Sequence, residues 1–379
     1  MNKSGFINLL LWLSRILFGI VFIFSGFVKA IDPLGSTYKF QDYFLAFDAQ
    51  WLFPTALPLA ILMSALEFVI GVTVLLGIKM RYSAWGGLLF MLFFTPLTLY
   101  IAVFEPVSDC GCFGDALVIS NWATFYKNIF ILAAAIFIFI NRHKVKPLWS
   151  ETRDWYLVAA VSLFIVALSV YCLRNLPLMD FRPWKIGNNI AEKMQPLQEE
   201  IAEYTFIYRN TETGQTKEFA LDQLPEADKG WEFVDRKEEI IQPFIEAPID
   251  DFVIQDEDGF DLTENYLGNP DYQFLLIAYD LHRTNREAFS QRINKFAQKA
   301  EQANVSFIVL TASSFEDIDL FRHEMQAAYP FYQADGIKLK TIIRSNPGLV
   351  LMKDWVVIDK WAHRNIPEFE QVQEQYMNP

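Results

Sequence analysis

The sequence predicts an all-α membrane bundle of four helices plus a fifth transmembrane helix, followed by a C-terminal α/β domain outside the membrane. Three observations predict it. Five long apolar stretches all lie before residue 175. The charge changes abruptly, from +2 over residues 1–180 to −15 beyond them. After residue 245, short apolar strands alternate with segments of helical period. A chain of 379 residues, 53% apolar with 35 Phe, is long enough for about two domains and too apolar for disorder. The acidic second half has no basic stripe, which excludes nucleic acid, since neutralising phosphates takes clustered Lys and Arg.

Spanning hydrocarbon takes about 20 apolar residues in a helix. Residues 6–30, 57–77, 83–104, 122–140 and 155–172 qualify. The first carries Arg15 and lacks an A-x-A site, so it is retained as a helix and is not a cleaved signal. Lys3, the pair Lys79 and Arg81, and the trio Arg142, Lys144 and Lys146 occupy alternate short connections. Basic loops stay cytoplasmic. The expected orientation therefore has a cytoplasmic amino terminus, with loops 31–56 and 105–121 and everything after Arg174 outside, in the periplasm of a bacterial inner membrane. The domains expected are a bundle at 1–146, the fifth helix and its exit at 147–180, a connector and small β-rich insert at 181–244, and the α/β domain at 245–379.

Of three cysteines, Cys110 and Cys112 stand in SDCGCFGD in the second outer loop, and Cys172 closes the fifth span at the same face. Disulfides persist in that compartment. A Cys-Gly-Cys bridge needs a freely bending middle residue, which Gly111 supplies. It closes so short a ring that it adds little stability and exchanges readily. Two roles follow: a redox pair, or a local clip that shapes the loop. A metal site is not expected, because two thiolates without a neighbouring His fall short of four ligands. Lys127 and the amino end of the fourth helix are placed to lower a thiol pKa. Asp109, Gly111, Asp115 and Lys127 are the expected supporting residues of a catalytic Cys110 and Cys112. Cys172 is either a resolving thiol or simply packed.

Arg15 and Glu67 each lie near the middle of a span, at matching depth. A charge in hydrocarbon costs about 2.5–3.5 kcal/mol even on the lenient insertion scale, so the two are expected to pair inside the bundle. The alternative is a polar pocket for a quinone or a proton path. Gly19, Ser25, Gly26, Gly71 and Gly77 permit close helix approach. Lys29 is expected to snorkel outward. Pro96 should kink the third helix beside Thr95 and Thr98.

Arg15, Gly19, Phe22, Ser25, Gly26 and Lys29, followed by Glu67 and Gly71, form a string that resembles the DoxX-like four-helix membrane proteins. SDCGCFGD before an aromatic helix start is similar to the related MauE branch. The resemblance covers residues 6 to 140. It implies periplasmic disulfide or sulfur chemistry, in some relatives linked to quinones. LPLMDFRPWKIG after the last span resembles fusions of Bacteroidetes-type envelopes.

In the outer half, residues 203–209, 216–221 and 231–234 read as strands, with Thr213-Gly214 as a hairpin turn. Beyond 245, strands at 272–279, 305–311, 339–343, 349–352 and 356–360 are separated by helices at 285–303 and 315–328 and followed by one from Pro367. This order resembles the thioredoxin fold, with Pro347 at the position of its cis-proline. Where that fold carries its cysteines stands Asp280-Leu281-His282-Arg283-Thr284. The resemblance therefore implies a domain without dithiol chemistry of its own; His282 and Arg283 either bind an anion or are solvated.

The leading expectation is an inner-membrane, redox-associated protein. Its Cys110–Cys112 pair exchanges with an envelope protein partner docked by the outer domain, which makes it a thiol-disulfide oxidoreductase or a subunit of one. The alternatives are a non-enzymatic scaffold of an envelope complex and a quinone-linked sulfur oxidoreductase subunit. Membrane lipids are expected partners, and a quinone is the one candidate cofactor.

Overall fold

In a computed structural model that describes residues 3–146, 150–225 and 230–377, six long or amphipathic helices come first. They are α1 (Lys3–Ile31), α2 (Pro33–Ala46), α3 (Ala56–Leu76), α4 (Met80–Phe104), α5 (Asn121–Asn141) and α6 (Glu151–Arg174). Five stretches, Ser4–Ile31, Gln50–Leu76, Met80–Phe104, Asn121–Lys144 and Thr152–Arg174, are long and apolar enough to cross a membrane. The chain is a multi-pass membrane protein. Large apolar side chains such as Phe93, Phe130 and Leu163 point outward, as suits a surface solvated by lipid. The boundary expected at residue 147 and the side chain of Lys3 lie outside the described residues.

Helix α2 occupies the stretch expected to be an outer loop. Asp32 caps it, accepting from the Gly35 amide at 2.9 Å, and Pro33 sits at its first position. Both are ordinary helix-start signals.

The register of α1 against α3 is set by small residues. A Cβ on Gly71 would lie 3.0 Å from the Gly19 carbonyl, and one on Gly26 would lie 2.6 Å from the Ser64 carbonyl. This contact corrects the expected Arg15–Glu67 pair. It slides α3 along α1 until Glu67 is level with Ser25 and Lys29, ten residues or about 15 Å of helix rise beyond Arg15. Lys29 Nζ donates to both Glu67 carboxylate oxygens, at 2.7 and 2.8 Å, so it is paired inside the bundle and does not snorkel out. Arg15 instead donates to the Val74 and Leu75 carbonyls, at 3.0 and 2.8 Å. These belong to the last turn of α3, where carbonyls lack helical partners and the helix dipole is negative. Helix α4 runs through Pro96; Thr98 donates to the Thr95 carbonyl and accepts from Asn128 on α5.

Outside the bundle, a short α7 (Ile190–Lys193) leads to a three-stranded antiparallel sheet. Its strands are β1 (Ile201–Asn210), β2 (Thr216–Ala220) and β3 (Trp231–Gln242), in the order β2-β1-β3. Strand β3 continues eight residues past the expected end at Val234. Its DRKEE run is too polar to read as a strand, yet it pairs with β1 along its length. Next come α8 (Thr263–Leu267), β4 (Gln273–Ile277), α9 (Arg286–Ala288), a π-helical turn at Phe289–Ile293, α10 (Asn294–Gln302) and β5 (Ser306–Thr311). They are followed by α11 (Phe315–Met325), β6 (Phe331–Gln333), α12 (Gly336–Ile342), β7 (Gly348–Lys353), β8 (Val356–Ala362) and α13 (Phe369–Val372). The strand expected at 339–343 is therefore a helix. Asp335 caps it by accepting from the Ile337 and Lys338 amides, and Leu339 and Ile342 form its buried face.

The larger sheet has the order β6-β5-β4-β7-β8, with β4, β5 and β6 parallel and β7 and β8 antiparallel. Alternate side chains of its central strands feed two cores. Phe274 and Leu276 join Phe289, Phe296 and Phe307 on one face; Leu275 and Ile277 join Ile308, Leu339 and Trp184 on the other. Trp184 comes from the segment that follows α6, and Gly187, Asn188 and Ile190 hydrogen-bond to the backbone of Trp355 and Val357. The exit from the membrane is thus stitched to the edge of this sheet.

Losing one member of a buried ion pair strands the other, a penalty of about 3–5 kcal/mol. Lys29→Leu or Glu67→Leu alone should destabilise the protein by that order in detergent unfolding, and the double variant should recover much of the loss. Arg15→Leu combined with Glu67→Leu should be additive.

Candidate functional site

The Cys-Gly-Cys loop leaves α4 through Glu105, whose φ of 46° turns the chain, and re-enters the membrane at α5, capped by Ser120. Asp109 accepts from the Gly111 amide at 2.8 Å, and Gly111 takes φ +67°, a left-handed conformation that a side chain would strain. This tight turn brings the free thiols of Cys110 and Cys112 to 3.1 Å between sulfurs. Both backbone carbonyls are held from the bundle side. Tyr43 of α2 donates to Cys110 O at 2.9 Å, and the Ser25 hydroxyl of α1 lies 2.7 Å from both Cys112 O and Glu67 Oε2. The Lys29–Glu67 pair is therefore one hydrogen bond away from the cysteine loop.

The two thiols are electrostatically unlike. A hydrogen bond from Cys110 brings Cys112 down to about 6, with the cations Lys127 and Lys29 acting in the same direction against burial and the Glu67 charge. Cys110 is pushed up by the same hydrogen bond and by burial. Cys112 is thus the more acidic thiol of the pair. Lys127 Nζ lies 4.2 Å from the centre of the Phe113 ring, next to Cys112 in sequence.

Behind the loop the bundle forms a partly open cavity of about 550 Å³. Its walls are apolar, with Phe22, Phe40, Phe44, Phe90 and Phe94 among them, while its polar end is formed by Cys110, Cys112, Lys29, Glu67, Lys127 and Asn128. The volume lies within the range of pockets that hold small organic molecules.

Both carboxylates that flank the cysteines are held by cations. Asp109 pairs with Lys39 of α2 at 2.5 Å. Asp115 accepts from Arg344 Nη2 at 2.8 Å, and Arg344 belongs to the outer domain, in the turn before β7. Burial pushes the Asp115 carboxyl up while Arg344 opposes it.

Of the expected site residues, the structure gathers Cys110, Cys112, Asp109, Gly111, Asp115, Lys127 and Glu67. Arg15 caps α3 instead, as described above. Cys172 is a buried free thiol in α6, so it is packed there. Pro347 follows a cis peptide bond, three residues after Arg344. His282 and Arg283 are exposed beside their own domain's Asp317 and Asp280. Among the described residues, no group of three or more His, Cys, Asp or Glu side chains is placed to hold a metal ion. Ser25, Lys29, Lys39, Tyr43 and Arg344 are the site residues that sequence reasoning missed.

Residues 7–141 match the family model described as methylamine utilisation protein MauE, so the cysteine loop and its cavity lie within a MauE-like membrane domain. Residues 202–243, the three-stranded insert, match a domain of unknown function, DUF8463. No curated protein and no solved structure matches the chain.

A thiol reacts with alkylating agents as its thiolate. Alkylation of Cys112 in the reduced protein should rise through a midpoint near pH 6. Cys110 should stay unreactive through neutral pH, which mass spectrometry of the labelled peptide resolves.

Proposed function

We propose that the chain is an inner-membrane thiol oxidoreductase that moves two electrons between protein thiols on the periplasmic side and a lipid-soluble acceptor in the bundle. The observation that carries this reading is the 3.1 Å approach of the Cys110 and Cys112 sulfurs, with Cys112 made the more acidic by Cys110, Lys127 and Lys29. In the oxidised pair Cys112 is the better leaving group, because the sulfur of lower pKa departs faster. A substrate thiolate attacks Cys110 Sγ, the Cys110–Cys112 bond breaks, and Cys112 leaves as thiolate. A second substrate thiol displaces Cys110. The substrate gains a disulfide, and the pair gains two electrons and two protons.

The pair must then give them up. The apolar cavity supports a quinone as the acceptor: both sulfurs line its polar end, beside Lys29 and Asn128, which can donate hydrogen bonds to a carbonyl oxygen. Two electrons and two protons pass to the quinone, the disulfide reforms and quinol leaves. The basic cytoplasmic loops support the orientation, and the sheet order β6-β5-β4-β7-β8 supports a thioredoxin-like outer domain. Lacking a thiol, that domain would serve docking alone.

In cells quenched with acid and alkylated, the intact pair should be caught as a mixed disulfide between Cys110 and a periplasmic protein, while Cys112→Ala and Cys110→Ala, which leave no disulfide for a substrate thiolate to attack, should each trap far less. Absence of any adduct of the intact pair would remove the exchange reading and leave a scaffold whose Cys-Gly-Cys turn shapes a loop.

A further inference from the structure

The loop that carries the cysteines has little rigidity of its own. Both Gly111 and Gly114 are left-handed, and nothing lies within 4 Å of where a Gly114 side chain would begin. Tyr43 and Ser25 hold its two cysteine carbonyls from the bundle side, and its outer side is held by what grips its two flanking carboxylates. On one side Lys39 binds Asp109, and its stem lies across Gly111, 3.1 Å from where a Cβ would stand. On the other side Arg344 binds Asp115.

Arg344 also grips α2. Its Nε is 3.1 and 2.9 Å from the two Asp32 carboxylate oxygens, and Asp32 is the cap of the helix that carries Lys39 and Tyr43. Its Nη1 donates to the Lys340 carbonyl, and its guanidinium stacks 5.3 Å from the Tyr38 ring. Beside it the Tyr38 and Tyr279 hydroxyls lie 3.2 Å apart. Arg344, a residue only 5% exposed, thus joins the helix that holds Cys110 to the loop that holds both sulfurs. Only a planar fork with five donors makes these contacts together.

We propose that Arg344 is a positioning residue for the Cys110–Cys112 pair. By locking Asp115 against Asp32 it keeps the two sulfurs in contact, and so couples docking of the outer domain to thiol reactivity in the membrane. This rests on the reading that the pair is redox active, but its test does not require turnover. Coupling of this kind is reciprocal, so the state of the pair also biases the docking.

The readout is the pH midpoint of Cys112 alkylation in the full-length reduced protein. The charged and titratable groups facing Cys112 are Cys110 from the loop, Lys29 from α1, Tyr43 from α2, Glu67 from α3 and Lys127 from α5, and none of them is altered. Arg344→Ala should raise the midpoint by about one unit or more, toward the ordinary thiol value of about 8.5, as the sulfur–sulfur hydrogen bond loosens. Arg344→Lys, keeping the charge without the fork, should fall between. Lys360→Ala cuts a different outer-domain contact, to Asp180, and should leave the midpoint in place.

Asp115→Asn covers the case in which the Arg344 variants do not fold, and it separates position from charge. Neutralising a nearby carboxylate would by charge alone lower the midpoint, so a rise reports displacement of the loop. An unchanged or lowered midpoint in Asp115→Asn, or a Lys360→Ala shift equal to that of Arg344→Ala, would overturn the proposal. Failure of the trapping experiment with these shifts intact would count against the exchange reading alone.

Discussion

The buried Lys29–Glu67 pair is the constraint on which the membrane half depends. Two buried charges here are tolerated only together, since each alone costs several kcal/mol. Gly19, Gly26 and Gly71 set the register at which α1 and α3 approach, and only that register brings Lys29 to Glu67. At that register Ser25 stands between Glu67 and the Cys112 carbonyl. The ion pair thereby supports the inner wall of the cysteine loop.

The outer wall of the loop has a separate origin. Asp32 begins α2, and from that one helix come the Lys39 grip on Asp109 and the Tyr43 hydrogen bond to Cys110. Arg344 closes the arrangement from the far end of the chain. The fifth span leads into a segment that packs Trp184 into the outer domain and pairs with β8, so that domain is held over the loop from two directions. The result is a dithiol with solvent-side ion pairs in front of it and an apolar cavity behind it.

The membrane spans were legible in the sequence, because hydrophobic length reports directly on them. The Cys-Gly-Cys turn, with its flanking carboxylates and Lys127, was legible because a short loop leaves little freedom in where its residues meet. The Arg15–Glu67 pairing misled because span centres were matched when the glycine contacts set the register; Gly19 opposite Gly71 was the signal that would have found Lys29. Helix α2 was announced by Asp32-Pro33 and passed over because its apolar face is weak. Strand β3 was hidden by its charged DRKEE run. Nothing local marks Arg344: its partner Asp115 is 229 residues earlier, and only tertiary docking joins them.

The central claim is that the Cys110–Cys112 pair is held for exchange and not for stability. Stabilising the Cys112 thiolate favours the reduced form and makes the disulfide more oxidising. The most direct measurement is the reduction potential of the pair in the intact, membrane-reconstituted protein, titrated against dithiothreitol and glutathione and read by thiol alkylation. The account predicts a value well above the roughly −300 mV below which structural disulfides lie. A potential at or below that level, or two thiols that never oxidise, would contradict it.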